Sequence, residues 1–246
     1  MNRILFETDE IRDGVATFGG ARAEHVMNVL HGEVGQVLKT GEVNGLIGTS
    51  EILSIEQSEQ SNNFQIAVRC SHTGKSISPW IDLILAPPRP RVMKRLLPQL
   101  ATMGVGRIFL VGAKKVEKDF WGATLLKPEN YRPLLIDGLM QAGTSILPTL
   151  ETRRNFRKFV KEELDGLWPE VTRIVAHPYG AQSTVIDSNR QLSVLLAVGP
   201  EGGWTDEEVA LLEEHGFARY SLGSRILRTD TATVALLAQL MKEFDK

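Results

Sequence analysis

Residues Val194–Ala232 read VLLAVGPEGGWTDEEVALLEEHGFARYSLGSRILRTDTA. This stretch holds two glycine-marked turns, Gly199-Pro200-Glu201-Gly202-Gly203 and Leu222-Gly223-Ser224-Arg225-Ile226-Leu227-Arg228-Thr229. An apolar run precedes each turn and a helical pattern follows it. Strand ends that open side by side into loops are where open α/β sheets hold ligands. The C-terminal quarter is therefore the expected site of chemistry.

Other segments support an α/β class for most of the chain. From Trp80 onward strand and helix patterns alternate. Strands are predicted at Trp80–Leu85, Arg107–Val111, Arg173–Ala176, Leu192–Val198 and Tyr220–Leu222. Helices are predicted at Arg91–Met103, Pro128–Ala142, Asn155–Leu164, Thr205–His215 and Thr229–Glu243. Thr205 and Glu208 form a capping-box pair, and Gly216 is a terminator. Such alternation implies a mostly parallel sheet covered on both faces. Before Trp80 the pattern is all-β. Ile4–Phe6, Val34–Leu38, Leu46–Ile55 and Phe64–Val68 read as short strands and Glu24–Leu30 as one helix, a grammar that suggests a small barrel. Ser71–Pro79 reads as a polar linker.

Composition narrows the function classes. The 246 residues carry a net charge of −2, 42% apolar residues and one cysteine, Cys70. One cysteine excludes an internal disulfide and a thiolate metal cluster; beside a strand, Cys70 reads as a small apolar residue. No apolar run is long enough to span a bilayer, and the start MNRILFETDE lacks a signal-peptide core, so a cytoplasmic location is expected. His25, His31, His72, His177 and His215 have no metal-ligand spacing, and no metal is expected. Basic residues cluster locally, at Arg89, Arg91, Lys94 and Arg95 and again at Arg153, Arg154, Arg157 and Lys158. Such patches can grip phosphate backbones, although short basic runs are also ordinary solvated helix faces.

The chain has no G-x-x-x-x-G-K-[ST], no G-x-G-x-x-G after its first α/β strand and no G-x-S-x-G turn. What is left is a pocket built from backbone. Gly199, Gly202, Gly203 and Gly223 permit close approach of main chain to ligand. Their amides suit the edge of a flat heteroaromatic ring, with Ile226 and Leu227 as apolar walls. Glu201 reads either as a carboxylate that holds a hydroxyl or cation, or as a solvated turn residue. Arg225 and Arg228 read as phosphate-suited forks or as a surface pair. The last helix leaves almost no polar face over Ala232–Met241, which predicts a homodimer packed through it.

These residues together resemble one family. The pattern L-x-x-G-P-E-G-G over Leu196–Gly203, with Thr205 and Glu208, then L-G-x-R-I-L-R-T-[ED]-T-A over Leu222–Ala232, is similar to the ribosomal small-subunit RNA uridine-N3 methyltransferases, the RsmE family of the SPOUT superfamily. The resemblance implies an α/β domain with a C-terminal trefoil knot, over about residues 171–235 of a domain spanning 73–246. A PUA-like RNA-binding β-barrel over residues 1–72 would precede it. It implies S-adenosylmethionine bound by His177 and Pro178, by Val198, Gly199, Pro200, Glu201, Gly202 and Gly203, and by Leu222, Gly223, Ser224, Ile226, Leu227 and Arg228. It also implies an active site at a dimer interface, with 16S ribosomal RNA in the small subunit as partner and N3-methyluridine as product.

A uridine N3–H must lose its proton as the methyl arrives. Arg228 is the candidate cation, and Glu201 and Asp230 are the candidate carboxylates. Arg3, His25, Arg89, Arg91, Lys94 and Arg225 are the candidate RNA contacts. The chain departs from the family at Met93–Val105, including Thr102 and Met103, at Thr144 where an arginine is usual, and at His31. These departures keep two further readings open: a sister methyltransferase for another RNA site, and a non-catalytic RNA-binding or assembly protein.

Overall fold

The computed structural model describes residues 2–57, 63–179 and 193–244. They form two compact units. One takes in the chain up to Ser78 together with Ile136–Leu147; the other takes in Pro79–Leu135 and the chain from Pro148 on.

The first unit is built on a six-stranded sheet. Its strands are β1 (Ile4–Phe6), β2 (Ile11–Arg12), β3 (Val15–Phe18), β4 (Val37–Glu42), β5 (Ile47–Gln57) and β6 (Phe64–Gly74), with helix α1 (Gly20–Asn28) between β3 and β4. The order is β1-β4-β5-β6-β3-β2. β1 runs parallel to β4 and the other pairings are antiparallel. Phe6, Phe18, Val26, Ile52, Ile66 and Val68 fill its core.

Several elements differ from the sequence expectation. β4 lies at Val37–Glu42 rather than Val34–Leu38, and α1 runs over Gly20–Asn28 rather than Glu24–Leu30. The stretch read as a linker from Ser71 is strand as far as Gly74, paired with Ile47–Thr49. Ser71, His72 and Thr73 are polar, but a ladder is made by backbone groups, and a sheet with one solvated face accepts polar side chains. The hairpin β2–β3 was not anticipated. It turns at Asp13-Gly14, both at positive φ (51° and 75°), and Asp-Gly is itself a two-residue hairpin signal.

The second unit is a parallel sheet. Its strands are β7 (Ile81–Leu85), β8 (Val105–Val111), β9 (Thr149–Arg153), β10 (Thr172–Ala176), β11 (Val194–Val198) and β12 (Ala218–Tyr220), in the order β12-β10-β11-β7-β8-β9. All five pairings are parallel. Its helices are α2 (Pro90–Thr102), the first half of α3 (Pro128–Ala142), α4 (Phe156–Glu162), α5 (Leu164–Leu167), α6 (Asp206–Glu214) and α7 (Thr229–Phe244). Every residue of β11 is buried, as expected for a central parallel strand covered on both faces. On one face Phe109, Phe159, Trp168, Leu195 and Leu212 share a cluster. On the other, α2 packs against α7.

The chain leaves β7 toward β8 and leaves β11 toward β12, on opposite sides. The sheet thus has a topological switch point at the carboxyl ends of β11 and β7, the place where open α/β sheets bind ligands. The helix after β11 starts as expected, with Thr205 and Glu208 capping each other reciprocally. β9 was not anticipated, and the last strand ends at Tyr220, two residues earlier than expected. Residues 180–192, over which the expected knot would thread and where Leu192 was to open a strand, lie outside the described residues.

Candidate active site

Three loops leave the carboxyl ends of β10, β11 and β12 and meet around a cavity of about 500 Å³. The first contributes His177, Pro178 and Tyr179, the second Val198–Trp204, and the third Ser221–Gly223 with Arg225–Leu227. Thr229, Ala232 and Leu236 of α7 close one side. The volume falls within the range of small-molecule and cofactor sites.

Local hydrogen bonds fix the loops. The His177 N–H donates to Tyr220 O at 3.0 Å, and the Ala86 N–H donates to Val198 O at 2.9 Å. Ser221 Oγ donates to Pro178 O at 3.3 Å and accepts from the Gly223 N–H at 3.1 Å, which ties the first loop to the third. Gly223 sits at φ +115°, a conformation that side chains rarely adopt. The Gly203 N–H donates to Pro200 O at 2.8 Å and closes the central turn. A Cβ on Gly202 would lie 2.8 Å from Lys115 Cδ, and Lys115 Nζ donates to Gly202 O at 2.7 Å.

The main chain here can read a ligand. Among the described residues, the peptide N–H groups of Leu222, Ile226 and Leu227 have no acceptor. Leu222, Ile226 and Leu227 also keep 38%, 77% and 38% of their surface exposed. Trp204 is 6% exposed and stacks on Phe156 at 5.1 Å. Its buried Nε1 has no partner among the described residues. Free amides and apolar walls fit an adenosyl-type ligand.

The match to known proteins decides the family. Residues 76–241 match the model of the RNA methyltransferase domain. The chain belongs to the RsmE family of RNA methyltransferases. Among its relatives is the ribosomal RNA small subunit methyltransferase E of Treponema pallidum, 29% identical over 98% of this chain and 91% of that protein. Another is the enzyme named E 1 in Borreliella burgdorferi, 26% identical over 96% and 95%. Two solved structures share the fold. A methyltransferase from Legionella pneumophila in complex with SAM has a TM-score of 0.76 at 24% identity, over 98% of this chain and 97% of that one. The Neisseria gonorrhoeae methyltransferase E bound to S-adenosyl methionine has 0.74 at 22% identity, with the same coverage.

Against this RsmE-family fold, the candidate residues fall into groups. Of the cofactor candidates, all but Ser224 and Arg228 line the cavity. Both of these are exposed. Arg225, read as an RNA contact, lines it instead. Sequence reasoning missed Tyr179, Trp204, Ser221, Thr229 and Leu236. Trp204 follows the glycine turn directly and could have been noted there; the others carry no signal of their own.

The two candidate carboxylates differ in their partners. Glu201 Oε1 accepts the Arg89 N–H at 3.1 Å. Asp230 faces the guanidinium of Arg95 at 3.4 Å. Among the described residues the Arg228 guanidinium has no partner. Arg91 and Lys94 are exposed on the first turns of α2, while Arg89 pairs with Glu117 at 2.9 Å. That hydrogen bond raises the Arg89 pKa.

In the first unit, Arg3 donates from Nε to Gly143 O at 3.0 Å and from Nη1 to Thr40 O at 2.6 Å and Gly48 O at 2.9 Å. Burial pushes its pKa down. His25 Nε2 is buried without a partner among the described residues. Arg3 thus braces its own unit, and the exposed cations of α2 are the freer ones.

Proposed function

We propose that this chain methylates N3 of one uridine in the decoding region of 16S ribosomal RNA, with S-adenosylmethionine as donor. The observation that carries the reading is the single cavity into which the glycine turns after β11 and β12 both open. Two structures sharing the fold hold that cofactor. The same reading includes a SPOUT-type trefoil knot, a PUA-like first unit that binds RNA, and a homodimer in the cytoplasm that completes the exposed apolar wall at Leu222, Ile226 and Leu227.

When bound, S-adenosylmethionine supplies an electrophilic methyl group. The chain's own residues do the rest. The amides of Leu222, Ile226 and Leu227 read the edge of the base. Arg228, exposed and unpaired among the described residues, stabilises the anion that develops on uracil. Glu201 accepts the proton from N3. Of the two candidate carboxylates, Glu201 lines the cavity and Asp230 does not. Alignment of nucleophile and methyl is a positioning effect, which can supply much of a rate enhancement. The target uridine is unstacked from folded RNA to reach the cavity, while Arg91 and Lys94 hold nearby backbone.

The test is methyl transfer from labelled S-adenosylmethionine to small subunits from a strain lacking the gene, with modified nucleosides mapped by mass spectrometry. N3-methyluridine at one decoding-region position is the expected product. Cofactor binding without methylation of any ribosomal RNA would overturn the proposal.

A further inference from the structure

A second cavity, of about 350 Å³, opens where the chain leaves β8 and β9. The cations of the segment Arg153–Lys158 divide around it. Arg153 is committed elsewhere, to Glu163 at 2.7 Å and to Glu151 at 3.0 Å. Lys158 lies 3.9 Å from Glu162 on the exposed face of α4. Arg154 and Arg157 line the cavity, and Lys114 joins them from the loop after β8.

This meeting depends on Gly112. Its N–H donates to Arg153 O at 3.0 Å. A Cβ there would lie 1.9 Å from Arg154 O, so only glycine lets the two loops run in contact and brings Lys114 beside Arg154.

Much of the donor capacity of this cavity is unspent. Lys114 Nζ has no partner among the described residues. Arg154 uses one nitrogen, donating to Trp121 O at 3.2 Å, and leans over the Trp121 ring at 5.7 Å. Asn155 Oδ1 accepts from the Lys158 N–H at 3.0 Å, and its amide nitrogen has no partner among the described residues. The two carboxylates that line the cavity offset this charge only in part. Glu208 is occupied, accepting from the Lys114 N–H at 2.7 Å and the Thr205 N–H at 2.8 Å. Glu207 is exposed and lies 3.9 Å from Arg157. Planar guanidinium forks beside a lysine and an amide donor suit a phosphate oxyanion.

The position of the cavity indicates whose phosphate this is. It opens at the carboxyl edge of the same sheet as the first cavity. β8 stands two strands from β11, about 10 Å at the usual spacing between strands. The residues Trp204 and Thr205 form a shared wall: Trp204 lines the first cavity and Thr205 the second. Phe156, which stacks on Trp204, also lines the second. We infer that Lys114, Arg154 and Arg157 form a binding site for a backbone phosphate of the RNA substrate, close to the nucleotide presented to the first cavity. The inference rests on the proposed function, since it takes RNA to be the substrate.

The test compares the full-length protein with the double variant Arg154→Gln/Arg157→Gln and the single variant Lys114→Gln. Binding to full-length 16S ribosomal RNA is measured across a salt series, and S-adenosylmethionine affinity is measured separately as a check on the fold. The expected result is about ten-fold weaker RNA binding by the double variant. Its salt dependence is shallower by about one to two phosphate contacts, with unchanged cofactor affinity. The variant Arg154→Lys/Arg157→Lys recovers the salt slope but only part of the affinity. Unaltered RNA affinity and slope in the double variant, beside normal binding by the unmodified protein, overturns the phosphate site alone. Failure of the unmodified protein to bind the RNA overturns it together with the function on which it rests.

Discussion

The peptide N–H of Arg89 donates to Glu201 Oε1 at 3.1 Å, a bond between residues 112 positions apart. It fastens the central glycine turn to the start of α2. Glu201 is therefore held in place, and its second oxygen has no hydrogen-bond partner among the described residues. Glu201→Gln keeps an acceptor for Arg89 but cannot take a proton at N3. We expect methyl transfer to fall at least ten-fold with S-adenosylmethionine affinity within about two-fold. Single-turnover kinetics beside calorimetric binding would check this, and equal rates for the variant and the parent would remove Glu201 from the chemistry.

Arg228 lies outside the cavity lining, at the entrance to α7. Under the proposed function it acts in the transition state rather than in cofactor binding. Arg228→Ala is expected to lower kcat by about a hundred-fold, as losses of a single oxyanion-stabilising group do, while cofactor affinity stays level. Near-normal turnover would count against the assignment.

Trp204 is buried, stacks on Phe156 at 5.1 Å and lines the first cavity. Trp204→Phe keeps a ring against Phe156 but loses one of the two fused rings. The expected change is a lower Tm, from the space left in the core, with cofactor affinity little changed. Melting curves beside binding titrations would check this, and a Tm equal to that of the parent would mean that the core closes over the gap.

Arg91 and Lys94 stand exposed on α2 and do not line the first cavity. Charge reversal at both is expected to weaken RNA binding at low salt and to leave cofactor affinity untouched. Anisotropy titrations at two ionic strengths would read this, and an unchanged RNA affinity would remove these residues from the interface.

Asp165 accepts from Arg173 at 2.6 Å and is 3.0 Å from His215 Nδ1. The Arg173 hydrogen bond, helped by His215, holds its carboxyl below the usual range. A depressed folded pKa means that the pair's stabilisation is fully present above the unfolded value, about 3.9, and is lost as pH falls through the folded value. Asp165→Asn should therefore lower Tm at pH 7. The gap to the parent should close as pH drops below about 4. Melting curves across that window test it; a gap that persists at the acid end would assign the effect to packing instead.

Much of the second unit could be read from short-range pattern. The buried run Val194–Val198, the Thr205–Glu208 capping box and the Gly216 stop are each specified by residues within a few positions of one another, and each is found as expected. The hairpin at Asp13-Gly14 was equally local and was overlooked. Strand from Ser71 to Gly74 was not local. Its polar side chains say nothing of a ladder, and only the partner strand β5 makes those residues a strand.

The candidate site divides along the same line. Sequence by itself determined which residues turn sharply and can bring main chain close to a ligand, because glycine conformations and capping bonds are settled by nearest neighbours. Tertiary structure alone decided which turns meet. The order β12-β10-β11-β7-β8-β9 brings three loops from distant parts of the chain around one cavity. It also sets Lys114 beside Arg154 and commits Arg153 to carboxylates. The physical reason is that hydrogen-bond partners and burial depend on strand order and on long-range packing, which no local periodicity encodes.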